Sequence, residues 1–123
     1  MNFPRPPAHI APYVTALGPD VAVRFFLEFG GADLYIAANP TGQSHLVAVL
    51  GLDGALALAA IRHQLQSRVP TAKPWIAQYL SQVDGLTKAA IARKLHASVP
   101  SVTRWLDRDQ PRRWTDPRQY SML

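Results

Sequence analysis

Lys88–Leu106 read KAAIARKLHASVPSVTRWL, two short helical patterns on either side of a tight connection. In the first, Ile91 and Leu95 lie four residues apart on one face, and Ala92 beside them is small enough to let a second helix cross closely. Thr87 is placed to cap this helix by accepting a bond from one of its orphan N–H groups, and Gly85 to close the helix before it. After a turn at His96 and Ala97, Ser98 is the expected cap of a second helix. Pro100 falls in that helix's first turn, where a missing N–H costs little. Val102, Trp105 and Leu106 recur at three-and-four spacing and are expected to close on Ile91 and Leu95, leaving the opposite face free. The turn position commonly filled by glycine is His96, which predicts a left-handed or adjusted backbone there.

Charge sets the same segment apart. The chain has 123 residues and a formal net charge of +5. From Met1 to Leu86 five cations are cancelled by five anions. From Thr87 onward come eight cations, Lys88, Arg93, Lys94, Arg104, Arg108, Arg112, Arg113 and Arg118, against three aspartates. A neutral part joined to a basic part suits a phosphate-binding module on a scaffold, because lysine and arginine displace counterions from nucleic acid.

With the turn chemistry and the charge in one place, the segment resembles the helix-turn-helix of phage repressors and site-specific recombinases. That likeness implies binding to double-stranded DNA through the second helix. Its exposed positions Ser98, Val99, Ser101, Thr103 and Arg104 would then meet base edges, Arg104 being the strongest candidate for a bidentate contact to guanine. Thr87, Lys88, Arg93 and Lys94 on the first helix read as contacts to the phosphate backbone. The tail DRDQPRRWTDPRQYSML adds Arg108, Arg112, Arg113 and Arg118 as a basic arm following the recognition helix.

Upstream lies a repeat. LGPDVAVRFFLEFGGADLYIAANP from Leu17 and LGLDGALALAAIRHQLQSRVPTAKP from Leu50 run in the same order at an offset of about 33 residues: Leu-Gly-x-Asp, an apolar helix, a short strand, a proline loop. The first copy predicts a helix buried through Val21, Ala22, Phe25, Phe26 and Phe29, ended by Gly30 and Gly31, then a strand at Leu34–Ile36. The second predicts a stripe of Leu56, Ala59, Ala60 and Ile61, then a strand at Arg68–Pro70. Two copies are too few for a solenoid and suit a pseudo-symmetric pair or a dimer core. Asn39-Pro40-Thr41-Gly42 reads as a turn. A further helix from Pro74 through Trp75, Ile76, Tyr79, Leu80 and Val83 is expected to pack under the helix-turn-helix as its third member.

FGGADLYI, Phe29–Ile36, followed by helix and a terminal helix-turn-helix, is similar to the Mor transcription activators of Mu-like phages. RRW and PRQYSML near the end extend the likeness. The resemblance implies an amino-terminal helical region with a short strand that forms a homodimer, a helix-turn-helix on promoter DNA, and recruitment of host RNA polymerase. The chain departs from that family by inserting the second repeat and by lacking an acidic amino-terminal extension.

Other classes of function have little support in the sequence. Hydrophobic residues make up 48% and charged residues 17%, which predicts a folded chain, and the absence of cysteine favours a reducing, intracellular setting. No stretch has the length of a membrane span, and the start lacks the architecture of a signal peptide. His9, His45, His63 and His96 show no metal-ligand spacing, and no phosphate loop or nucleophile elbow occurs. The expectation is a mainly α protein without cofactor, metal or catalytic activity, cytoplasmic and nucleoid-associated. Residues 1–72 would form a dimerisation region with short β-strands in a duplicated helix-strand unit, and residues 73–123 a three-helix DNA-binding domain with a basic arm. Two alternatives stay open: a DNA-recognition subunit of a packaging or recombination complex, and a protein-interaction module that meets no DNA.

Overall fold

The computed structural model describes residues 3–36 and 44–107. Among these the chain is mainly α-helical, with six α-helices and an isolated antiparallel β-bridge between Asp33 and Arg68. It divides at the Ala72–Lys73 junction into two compact units, Ala8–Ala72 and a second made of Met1–Pro7 with Lys73–Leu123.

The first unit holds α1 (Ala11–Leu17), α2 (Pro19–Phe29) and α3 (His45–Ala60), each packed on the other two. Its core is aromatic. Tyr13 stacks on Phe25 with centroids 5.4 Å apart and meets Phe26 edge-on at 5.2 Å, and Phe25 reaches Phe29 at 5.3 Å. Burial among these rings pushes the Tyr13 phenol up from its ordinary value.

The repeat is visible in the backbone, in a form the sequence reading did not contain. Gly18 joins α1 to α2 at φ 84°, ψ 157°, and Gly51 breaks α3 at φ 79°, ψ 164°. Both glycines of the Leu-Gly-x-Asp motif thus hold one conformation that a side chain would oppose, each between two helical segments. The repeated unit is helix, Leu-Gly, helix. The segments before each motif went unread: α1 carries Pro12 in its first turn, and α3 is capped by Ser44, whose Oγ accepts the Val47 N–H at 3.1 Å.

The two predicted strands do not form. In place of Leu34–Ile36 and Arg68–Pro70 there is a single bridge, Asp33 with Arg68. Gly31 N–H donates to Val69 O (2.7 Å), Val69 N–H to Ala32 O (2.9 Å) and Leu34 N–H to Ser67 O (2.9 Å). Pro70 has no N–H with which to extend the ladder, and Tyr35 beyond the bridge is 86% exposed, so lengthening it would bury no apolar face. The two post-helix segments nevertheless meet within one chain. Gly30 makes room for this, since a Cβ there would lie 2.5 Å from Phe26 O and 3.1 Å from Thr71 Cα.

The buried stripe of the second copy also differs from expectation. Ala55, Leu58 and Ala59 are buried, whereas Leu56 is 45% exposed, Ala60 is exposed and Ile61 is half-buried. HLVAVLGLDGALALAA is apolar on nearly every side, so periodicity alone does not choose its inner face. Asn39–Gly42 lies outside the described residues.

In the second unit α4 (Lys73–Gln82), α5 (Lys88–Leu95) and α6 (Val99–Asp107) contact one another pairwise. Its core collects Trp75, Ile76, Ala77, Tyr79 and Leu80 from α4, Ile91, Ala92 and Leu95 from α5, and Val102 from α6. The first residues of the chain group with this unit: Pro4 is buried, and its carbonyl accepts the Trp75 Nε1–H at 2.8 Å. A tryptophan N–H inside a core needs such a partner.

Candidate nucleic-acid interface

Short-range chemistry sets the geometry of α5 and α6. Thr87 Oγ1 accepts the Ala90 N–H at 3.2 Å and starts α5. At its other end Ala97 N–H donates to Ala92 O (2.9 Å) and His96 N–H to Arg93 O (3.4 Å), a Schellman closure with His96 left-handed at φ 53°, ψ 48°. The expected backbone at His96 is therefore the observed one. Ser98 then caps α6: its Oγ accepts the Ser101 N–H at 3.2 Å, and its carbonyl accepts the first helical bond, from Val102 N–H at 3.1 Å. At the far end of α6, Gln78 of α4 donates through Nε2 to the Trp105 carbonyl at 2.9 Å, which ties α6 to the helix beneath it.

With three residues in the turn and Val102 fully buried, the remaining side of α6 faces outward. Ser98, Val99 and Arg104 are exposed, Val99 by 44%, while Ser101 and Thr103 are half-buried. Trp105 and Leu106, expected to close on Ile91 and Leu95, are half-buried. On α5 and its cap, Thr87, Lys88, Arg93 and Lys94 are all exposed. From Thr87 to Asp107 the described chain carries four cations against one anion, and no ion pair to any of the four occurs among the described residues. Arg108, Arg112 and Arg113 lie outside the described residues, as do RRW and PRQYSML.

The outer face of α6 holds an organisation that spacing alone did not bring out. Ser98 Oγ–H donates to Ser101 Oγ at 3.0 Å, and Arg104 Nη2–H donates to the same oxygen at 3.3 Å. Sequence reading treated the three residues as separate contacts. Their i, i+3, i+6 spacing was the available signal, since residues three apart on a helix are neighbours.

Comparison with family models, curated proteins and solved structures returned no match. Phe29–Ile36, the motif compared with Mor activators, are described and form no strand. No helix among the described residues is long and apolar enough to cross a membrane.

Proposed function

We propose that the protein is a sequence-specific regulator of transcription that binds double-stranded DNA as a homodimer, with α6 in the major groove and α5 across the phosphate backbone. The observation that carries this reading is the outer face of α6. It exposes Ser98, Val99 and Arg104, with Ser101 half-buried between them, on a helix whose inner face is anchored by Val102 and whose entry is set by a tight left-handed turn. Arg104 has no carboxylate partner among the described residues to compete with a base or a phosphate. Lys88, Arg93 and Lys94 supply positioning contacts without sequence information, and Arg108, Arg112 and Arg113 follow them in the sequence as further cations for phosphate.

Dimerisation falls to the Ala8–Ala72 unit, which is supported by the exposed Leu52 and Leu56 one helical turn apart on α3. The resemblance of Phe29–Ile36 to Mor activators favours activation through host RNA polymerase over repression. On this reading the protein acts in the cytoplasm, on the nucleoid, by binding, with neither catalysis nor a cofactor.

The test is footprinting on genomic fragments combined with sedimentation of the protein–DNA complex. A protected two-half-site region occupied by two chains is the expected result. Arg104→Ala is expected to weaken that site by about 1–3 kcal/mol. Removing any of Lys88, Arg93 or Lys94 should weaken all sequences alike and reduce the salt slope by about one. Absence of any salt-dependent binding to duplex DNA would replace this reading with that of a protein-interaction module.

A further inference from the structure

We infer that Ser101 is a positioning residue that aims Arg104 at guanine, so that the base at that place in each half-site is chosen by the Ser101–Arg104 pair. The inference rests on the reading of α6 as the base-contacting helix, and it follows from counting donors and acceptors. A serine oxygen has two lone pairs. In Ser101 both are taken, one by Ser98 Oγ–H at 3.0 Å and one by Arg104 Nη2–H at 3.3 Å. What Ser101 has left is its own O–H hydrogen. Arg104 keeps four of the five N–H groups of a guanidinium. Neither side chain has an acceptor to offer, so the pair presents donors alone.

Base edges in the major groove respond differently to such a surface. Guanine offers two adjacent acceptors, O6 and N7. Adenine sets an amino donor beside its acceptor, cytosine offers an amino donor, and thymine a single acceptor next to a methyl group. A donor-only pair is matched by guanine and opposed by the amino groups of adenine and cytosine. The link to Ser101 also orders a long side chain before any ligand arrives, so less rotamer freedom is lost on binding. Ser98 takes part indirectly: by capping α6 and donating to Ser101, it holds the Ser101 oxygen as an acceptor for Arg104.

A phosphate is also acceptor-only, and sequence dependence separates the two. The experiment is selection from a random duplex pool with the full-length wild type, Ser101→Ala and Ser101→Thr, at two salt concentrations, with helix content followed by circular dichroism. Wild type is expected to select a guanine at one fixed place in each half-site. Ser101→Ala should lower the preference for that guanine by about two- to tenfold, the worth of one hydrogen bond, with helix content and salt slope unchanged. Ser101→Thr keeps the hydroxyl and should restore the preference.

An unchanged guanine preference in Ser101→Ala, or a loss that falls equally on every sequence, overturns the inference and leaves DNA recognition by α6 standing. A loss that Ser101→Thr does not restore overturns it in the same way. Failure of the wild type to select any motif removes the base-reading role of α6 and this inference with it.

Discussion

The two units close their interiors with different materials. Ala8–Ala72 is held by a cluster of rings from Tyr13, Phe25, Phe26 and Phe29, and it leaves Leu27, Tyr35, Leu52 and Leu56 exposed. The helices α4–α6 surround a smaller aliphatic core in which Trp75 and Tyr79 come from α4 alone, and their entries and exits are fastened by caps at Thr87, His96 and Ser98. One unit has apolar surface to spare and no cationic excess, three arginines standing against four acidic residues. The other shows the solvent a basic, hydrogen-bonding face. Apolar surface is non-directional and suits association, whereas a fixed array of donors suits a ligand with a fixed array of acceptors.

Core truncations should separate the units most strongly. Phe25→Ala removes a ring that touches three others and is expected to cost about 3–5 kcal/mol in urea denaturation, and Ile91→Ala between α5 and α6 about 2–4 kcal/mol. Equal costs would break the contrast between an aromatic and an aliphatic core. Next comes Gly30→Ala. The backbone at Gly30, φ −56° and ψ 132°, accepts any residue, so the expected loss of about 1–3 kcal/mol is steric, from a Cβ driven onto Phe26 O and Thr71 Cα.

Caps contribute less, and in opposite directions. Thr87→Ala should cost about 1 kcal/mol, because the Ala90 N–H loses its acceptor. His96→Gly should gain about 1 kcal/mol, because glycine holds φ 53° without a Cβ penalty. Thermal denaturation of the two variants in parallel reads both signs, and a loss at His96→Gly would mean that the imidazole holds the turn through a contact of its own.

The smallest effect is a pH dependence. The raised pKa of Tyr13 means that the unfolded chain ionises first, so its contribution to stability is complete below the ordinary tyrosine value and lost as pH rises through the folded one. Tyr13→Phe should flatten the alkaline limb of a urea-midpoint profile. An unchanged limb would assign alkaline unfolding to other groups.

How far these features were legible in the chain follows the range of the contacts that make them. Thr87, His96 and Ser98 were readable because each acts on groups within five residues of itself, as did the glycines that separate the helices. The outward side of α6 followed from Val102 in the same way. The second copy of the repeat was misread on both counts that need a distant partner. In α3 nearly every side is apolar, so burial of Ala55, Leu58 and Ala59 in preference to Leu56 and Ala60 depends on where α1 and α2 press against it. Leu34–Ile36 and Arg68–Pro70 read as strands, but the pairing that forms, between residues 31–34 and 67–69, is limited by Pro70 and by the lack of anything to cover Tyr35.

The sequence alone determined the helical class, the basic bias of its last third and the turn between α5 and α6, all consequences of composition and of hydrogen bonds closed within a turn or two. Only the tertiary structure decided that Pro4 serves as acceptor for Trp75, that Asp33 bridges to Arg68, and that α3 turns Leu56 outward. Each of these is settled by groups far apart in the chain competing for the same small volume, and no local pattern encodes the outcome of that competition.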